Sequence, residues 1–79
     1  MPKSVRWLDH AWTQLHAMPG RLRRDALEAA AQLMTDVHPD GARTYPAVPD
    51  TYQLDTPTIS LYYRVIGDDV DVVRVEPNS

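Results

Sequence analysis

The sequence predicts an α+β fold in which an N-terminal antiparallel two-helix hairpin packs on an antiparallel sheet of three to four strands. Apolar residues recur at helical spacing through the first half of the chain, whereas apolar and polar residues alternate through the last third. Because the helices precede the strands, they are expected to cover one face of the sheet. A length of 79 residues fits one domain spanning residues 1–79, and its small core favours a partner or an oligomer.

Three strand-forming runs between Thr51 and Val75 predict an antiparallel meander. In the middle run, alternation places Ile59, Leu61, Tyr63 and Val65 on one face and Ser60, Tyr62, Arg64 and Ile66 on the other. Gly67-Asp68-Asp69 supplies the turn before the third run. One face of the meander is therefore expected to be buried.

The first helix is expected to begin at Asp9, which can serve as the N-cap, and to end at Pro19-Gly20. Its predicted apolar face consists of Leu8, Ala11, Trp12, Leu15 and Met18. The preceding Val5-Arg6-Trp7 is either a brief strand at a sheet edge or the lead-in to this helix. Trp7 and Trp12 are expected in the core, because large aromatic residues dominate small cores.

The second helix is expected to start near Gly20 or Arg21 and to stop at His38-Pro39-Asp40-Gly41. Its predicted apolar stripe consists of Leu22, Ala26, Ala29, Ala30, Leu33 and Val37. His38 is then expected at the helix C-terminus, in favourable contact with the dipole. Ala42 to Pro49 is expected to be extended, and its prolines predict a short strand or an edge strand.

Composition excludes several kinds of function. The chain has no cysteine, which rules out disulfides, thiolate metal sites and a cysteine nucleophile. There is no apolar run long enough to span a membrane and no signal-peptide segment at the N-terminus, so a cytoplasmic location is expected. From Thr44 onward six acidic residues outnumber two arginines. A sheet that binds nucleic acid is usually basic, so this balance counts against such a role.

The order of elements and several local strings resemble the RelE/ParE superfamily of toxins from bacterial toxin–antitoxin modules. The strings are Val5-Arg6-Trp7, Leu15 through Met18-Pro19, Arg23 in its apolar stripe, His38-Pro39-Asp40-Gly41-Ala42-Arg43, Tyr52-Gln53-Leu54, and Tyr63-Arg64-Val65 through Val70-Asp71-Val72-Val73-Arg74-Val75. Together they cover nearly the whole chain. The resemblance implies a cognate antitoxin as partner and a target in either translation or DNA topology.

The resemblance leaves more than one activity open. One is a toxin-like component that cleaves mRNA on the ribosome. Another is a non-catalytic, ParE-like binding module that contacts DNA gyrase or only its antitoxin, and a third is a degenerate relative without toxicity. Gln53 and Ser60 stand where the ribosome-dependent RNases of the superfamily have strand arginines, and Glu76-Pro77-Asn78-Ser79 stands in place of a tail with His, Arg and a late Tyr. These departures favour protein contact, whereas the larger toxin class of the superfamily favours RNA cleavage.

The candidate RNA site lies on and near the predicted hairpin. Self-cleavage of RNA requires a base for the 2′-OH, an acid for the leaving oxygen and cations for the phosphate. The candidate catalytic residues are Arg43, Arg64 and Tyr62, and the candidate RNA-binding residues are Tyr52 and Arg74. The alternative is that Arg64 and Arg74 pair with Asp68, Asp69 or Asp71 on a solvated sheet face.

Arg21, Arg23 and Arg24 are candidates for binding a partner, because positive charge at a helix N-terminus opposes the helix dipole. The alternative is that Arg21 and Arg24 pair with Asp25 and Glu28 at helical spacing. His10 and His16 fall on different faces of a helix, and no His-Glu-x-x-His string is present. Neither a metal site nor a cofactor is therefore expected.

Overall fold

Two helices and five strands make up residues 4–78, the part of the chain that the computed structural model describes. In chain order they are β1 (Ser4–Trp7), α1 (Asp9–Ala17), α2 (Gly20–Gln32), β2 (Ala42–Thr44), β3 (Tyr52–Asp55), β4 (Ile59–Ile66) and β5 (Asp69–Pro77). The strands form one sheet in the order β1-β5-β4-β3-β2. α1 packs against β5 and α2 packs against β4, which confirms the predicted α+β class.

The sheet has one or two more strands than predicted, and it is not wholly antiparallel. β1 pairs in parallel with β5, with Ser4 opposite Asp69 and Trp7 opposite Val72. Side chains reinforce this pairing, because the Ser4 hydroxyl donates a hydrogen bond of 2.8 Å to Asp69. Val5-Arg6-Trp7 is therefore an edge strand and not the lead-in to a helix. Local alternation could not reveal a pairing between residues 65 positions apart.

The core lies between the helices and the sheet. On β4 the predicted inward residues Ile59, Leu61 and Tyr63 belong to the core cluster, whereas Ser60 and Tyr62 are also buried but lie outside that cluster. The helices contribute buried apolar residues at intervals of three or four positions: Ala11, Leu15, Ala26, Ala29, Ala30 and Leu33. The Tyr63 hydroxyl lies 2.6 Å from the Val37 carbonyl oxygen and donates to it. Burial raises the pKa of this phenol to about 12.

Both helices end or begin differently from the prediction. Leu8 is the N-cap of α1 and Asp9 is its first residue, so the expectation that Asp9 caps the helix is wrong. α2 ends at Gln32, and hydrogen-bonded turns follow it. The expectation that His38 lies at the helix C-terminus is therefore wrong, and its ring lies 4.6 Å from the ring of Tyr52.

Neither helix has the length and apolar character needed to cross a membrane, within the part of the chain described.

Trp12 lies on the solvent side of α1, so the expectation that it belongs to the core is wrong. It is 52% exposed, and its ring meets the His16 ring edge to face at 4.4 Å. Ala11 and Leu15 point into the core instead. Trp12 follows the buried Ala11 in sequence and falls outside the buried stripe. The helical period predicts the direction of such a stripe but not its width. Trp7 is partly buried against the core.

The segment after β2 is a folded loop and not an extension of the strand. Of the stretch from Ala42 to Pro49, only Ala42–Thr44 is a strand, and it lies at the sheet edge as predicted. Beyond it, the Tyr45 amide donates to the Thr51 carbonyl at 2.8 Å. Asp50 has a φ of 60°, in the left-handed region that aspartate tolerates. The loop of residues 45–51 thus returns the chain to β3.

Candidate functional site

The sheet face opposite the helices, here called the outer face, carries one aligned row of side chains. Register places Arg43 of β2 opposite Gln53 of β3, Gln53 opposite Tyr62 of β4, and Tyr62 opposite Arg74 of β5. Residues that face each other across neighbouring strands project on the same side of the sheet. The structure therefore brings together three of the sequence-predicted RNA-site residues, Arg43, Tyr62 and Arg74.

Tyr62, Arg74 and Glu76 form a compact group at the β5 end of this row. The Tyr62 hydroxyl donates to Glu76 at 2.9 Å, and Arg74 donates to the other oxygen of the same carboxylate at 2.7 Å. The guanidinium carbon of Arg74 lies 5.6 Å from the centre of the Tyr62 ring. Burial, followed by the hydrogen bond to Glu76, raises the pKa of Tyr62. Its phenol is therefore protonated at neutral pH and suits a donor or an acid better than a base.

Arg43 is engaged at the other end of the row. Its guanidinium donates to Asp55 at 2.9 Å, and Asp55 also accepts hydrogen bonds from Ser60 at 2.7 Å and Gln53 at 2.8 Å. The hydrogen bond from Ser60 is the largest cause that lowers the pKa of Asp55, and Gln53 and Arg43 lower it further. The carboxylate is therefore charged at neutral pH, and it offsets the charge of Arg43.

Arg64 is the least engaged of the predicted catalytic residues. It lies opposite Asp71, but Asp71 is held by Arg6 through two hydrogen bonds of 2.8 and 3.0 Å. Within residues 4–78, Arg64 is exposed and makes no hydrogen bond or ion pair. The expectation that Arg64 and Arg74 pair with the hairpin aspartates is thus wrong, because Arg74 pairs with Glu76. Arg64 remains available to a ligand.

Tyr52 does not join the other predicted RNA-binding residues. It lies on the helix-covered side of the sheet, where its ring stacks on Tyr63 with centres 5.6 Å apart. The alternation of β3 explains the separation, because Tyr52 and Gln53 project to opposite faces. Without a register between β3 and β4, the sequence could not show which of the two faces solvent.

A pocket beside the Tyr62–Arg74 pair contains residues that the sequence analysis missed. It has a volume of about 270 Å³ and is lined by His10, Tyr45, Val48, Thr51, Tyr62, Val73 and Arg74. The Tyr45 and Tyr62 rings meet at 70° with centres 4.9 Å apart. A β-bulge between Tyr62 and Tyr63 shifts the register of β5 at this point. No motif marks His10 or Tyr45, since the pocket exists only when the loop folds over the sheet.

The arginines that open α2 separate into two kinds. Arg23 donates to the carbonyls of Met18 at 3.2 Å and His16 at 3.4 Å, so it stabilises the end of α1. Arg21 and Arg24 are exposed, and neither pairs with Asp25 or Glu28 within the described residues. Asp25 instead accepts a hydrogen bond of 2.6 Å from Thr58. The described residues contain no group of three potential metal ligands.

The same fold occurs in solved toxins. A chain of the toxin–antitoxin complex RelBE2 from Mycobacterium tuberculosis matches 99% of this chain over 100% of its own length, with a TM-score of 0.85 and 23% identity. The isolated RelE toxin of E. coli matches 95% of this chain over 83% of its own, with a TM-score of 0.77 and 15% identity. A YoeB/ParE toxin from Agrobacterium tumefaciens matches 96% over 99%, with a TM-score of 0.76 and 10% identity.

A scan against protein-family models and a search of curated proteins each give no match. The structural likeness therefore stands by itself. The architecture, two helices on one face of a mostly antiparallel sheet, is the one that these solved structures share. More narrowly, the chain has the RelE/ParE fold, as its sequence resemblance implied.

Proposed function

We propose that this chain is the toxin-like component of a toxin–antitoxin pair and that it forms a stable complex with a cognate antitoxin. The observation that carries the proposal is the match of nearly the whole chain to a chain of the RelBE2 toxin–antitoxin complex. A protein of this size also has a small core, and a partner would add buried apolar area. Its targets in this proposal, the ribosome or DNA gyrase, would place it in the bacterial cytoplasm.

The exposed side of the helices supports an antitoxin contact. Trp12 of α1 and Leu27 of α2 are large apolar side chains that are 52% and 45% exposed. Arg21 and Arg24 are exposed on the same helix as Leu27 and carry unpaired charge within the described residues. An amphipathic antitoxin segment with acidic residues would fit both features. Trp12→Ser should weaken the complex with the antitoxin. Ile66→Ser also removes an exposed apolar side chain, but on the outer face, and should leave that complex unaltered.

For the activity of the toxin-like component, we propose contact with RNA through the outer face, with cleavage of mRNA on the ribosome as the particular reaction. In that reaction the 2′-oxygen attacks the adjacent phosphorus and the 5′-oxygen leaves, so one group must accept a proton and another must donate one. The Tyr62 hydroxyl, which carries its proton and donates it to Glu76 in a hydrogen bond of 2.9 Å, is the candidate donor. Arg64 and Arg74 suit the phosphate, and Arg64 is not engaged elsewhere within residues 4–78.

A second candidate is protein contact without catalysis, on DNA gyrase or on the antitoxin only. The ion pairs of the outer face favour it, because Arg6, Arg43 and Arg74 are each neutralised by a carboxylate at 2.7–2.9 Å. A phosphate backbone would have to displace these carboxylates or bind beside them. An outer face that is nearly neutral suits a protein surface better than a nucleic-acid backbone.

Induced expression in a bacterial host distinguishes the candidates. Growth would be followed together with pulse labelling of protein and DNA synthesis. Arrest with translation failing first supports the RNA target, and arrest with DNA synthesis failing first supports gyrase. No arrest, with no copurifying antitoxin from the neighbouring gene, would contradict the toxin-like role.

A further inference from the structure

The pocket beside Tyr62 and Arg74 combines two chemical characters in a volume of about 270 Å³. One side is aromatic and the other is cationic. We propose that this pocket binds one nucleotide of a single-stranded RNA, with its base against the tyrosines and its phosphate between Arg74 and His10. The inference deepens the RNA-contact function proposed above and rests on it.

The aromatic side is built by two rings and a valine. Tyr45 and Tyr62 meet edge to face with 70° between their planes, so together they form a corner rather than a flat wall. A flat base can stack on one ring while the other ring bounds its edge. Val48, which is 48% exposed, extends the apolar wall toward solvent. Bases of any identity stack on aromatic side chains, so this wall predicts affinity for a base without strong preference.

The cationic side has hydrogen-bond donors to spare. Arg74 uses one guanidinium nitrogen on Glu76, and the five N–H donors of a guanidinium leave others free. The Arg74 side chain is 49% exposed, so a ligand can reach it. His10 is exposed and makes no hydrogen bond within the described residues. Among residues 4–78 no carboxylate lines the pocket, and the nearby Glu76 already accepts from Tyr62 and Arg74.

The loop of residues 45–51 holds these groups in place. Its two ends are joined by the hydrogen bond from the Tyr45 amide to the Thr51 carbonyl at 2.8 Å, and Val48 donates back to Tyr45 at 3.3 Å. Thr51 is buried and its hydroxyl donates to the Pro49 carbonyl at 3.3 Å. The tyrosine corner is thus formed before any ligand binds, which lowers the cost of binding.

Size and charge favour a nucleotide over a peptide. The volume of about 270 Å³ lies just below the range of about 300–1,000 Å³ usual for small-molecule sites, so it admits one base and neither a helix nor a duplex. A peptide side chain offers either an aromatic ring or an anion. A nucleotide offers both at once, and both sides of this pocket would then be used.

Nuclear magnetic resonance of the labelled protein tests the inference directly. Adenosine 5′-monophosphate, adenosine and inorganic phosphate would each be titrated into the isolated chain. The nucleotide is expected to shift the ring signals of Tyr45 and His10 and the side-chain signal of Arg74. Adenosine and phosphate should each bind at least about tenfold more weakly, because each engages one side of the pocket.

Variants separate a built site from a general surface effect. Arg74→Gln and His10→Asn should each weaken nucleotide binding, the former by about tenfold. His16→Asn is the matched control, since His16 lies on the same helix and contacts Trp12 instead of the pocket. Val48→Glu places a carboxylate at the exposed mouth and should abolish binding, and an exposed position leaves folding intact.

Three results would overturn the inference. The first is a His10→Asn variant that binds the nucleotide as tightly as the wild type, and the second is a nucleotide titration that leaves the Tyr45 ring signals unshifted. The third is a pocket whose signals respond to the antitoxin and not to the nucleotide. The proposed function fails by a different result. If expression arrests growth but the chain binds no nucleotide, the toxin-like role stands and the nucleotide pocket is rejected. If the chain binds the nucleotide but expression does not arrest growth, the pocket stands and the toxin-like role is rejected.

Discussion

Arg74 and Tyr62 face each other across β4 and β5, with the guanidinium carbon of Arg74 5.6 Å from the centre of the tyrosine ring. Glu76 binds both of them, at 2.7 and 2.9 Å. The carboxylate therefore engages one guanidinium nitrogen of Arg74 and the Tyr62 hydroxyl, and it leaves the other Arg74 donors for a phosphate. Its negative charge beside these donors opposes the binding of RNA.

Glu76→Gln is expected to raise the affinity of the protein for single-stranded RNA about fivefold, which corresponds to about 1 kcal/mol. The change removes a negative charge and one of the two acceptor oxygens that hold Arg74 and Tyr62. Fluorescence anisotropy with a labelled oligonucleotide measures it. Glu28→Gln, an identical change on the exposed side of α2, is the control and should leave affinity unaltered. Equal affinity of both variants would argue that RNA does not bind this face.

Arg43→Ala combined with Arg64→Ala should abolish growth inhibition if RNA is the substrate. The two changes remove positive charge from the outer face, including the one arginine of that face left unengaged within residues 4–78. Growth after induction is the measurement. Arg21→Ala combined with Arg24→Ala removes the same charge from α2, and this control should still inhibit growth. Inhibition that persists in the Arg43/Arg64 variant would remove RNA cleavage as the activity.

Arg23→Met is expected to lower the free energy of unfolding by about 1–2 kcal/mol. Methionine keeps most of the packing but removes the two hydrogen bonds to the last carbonyls of α1, at 3.2 and 3.4 Å. It also removes a buried Nε that has no partner among the described atoms, which offsets part of the loss. Urea denaturation measures the change. Arg24→Met, at an exposed neighbouring position, should alter stability by less than about 0.5 kcal/mol.

Tyr63 should make the fold sensitive to alkali. Its pKa is raised to about 12 in the folded chain from an ordinary value near 10, chiefly by burial. The protonated phenol is favoured in the fold, so its contribution is fully present below about pH 10 and is lost as pH rises toward 12. Denaturation at several alkaline pH values should show this decline.

Tyr63→Phe should remove that part of the alkaline decline and lower stability at neutral pH by about 1–2 kcal/mol. The neutral-pH loss arises because the Val37 carbonyl, 2.6 Å from the hydroxyl, loses its donor. Tyr45→Phe changes a half-buried loop tyrosine and serves as the control, with little effect at either pH. An unaltered alkaline slope in Tyr63→Phe would mean that another group governs it.

Much of the fold follows from local sequence. The period of two places Ile59, Leu61 and Tyr63 in the core, and Gly67, with a φ of 59°, makes the predicted turn. The alanines of α2 are buried where the helical period puts them. These features depend on neighbours in the chain, so propensity and pattern are sufficient to predict them.

The functional surface depended on contacts that the pattern does not contain. Arg43, Tyr62 and Arg74 were identified as candidates, but their alignment follows from two antiparallel registers. Trp12 and Tyr52 lie on sides of their elements that were not predicted. For Tyr52, a shift of one residue in the phase of a strand exchanges its two faces. For Trp12, a small rotation of the helix is enough to expose a position at the edge of its apolar face.

The sequence by itself determined the class of fold, the two helices, the hairpin and the resemblance to the RelE/ParE toxins. Tertiary structure decided which charges meet: Arg6 with Asp71, Arg43 with Asp55, and Arg74 with Glu76. It also brought His10 of α1 and Tyr45 of the loop after β2 to one pocket. Periodicity is a property of adjacent residues, whereas a site is a property of distances between strands, and only the folded sheet sets those distances.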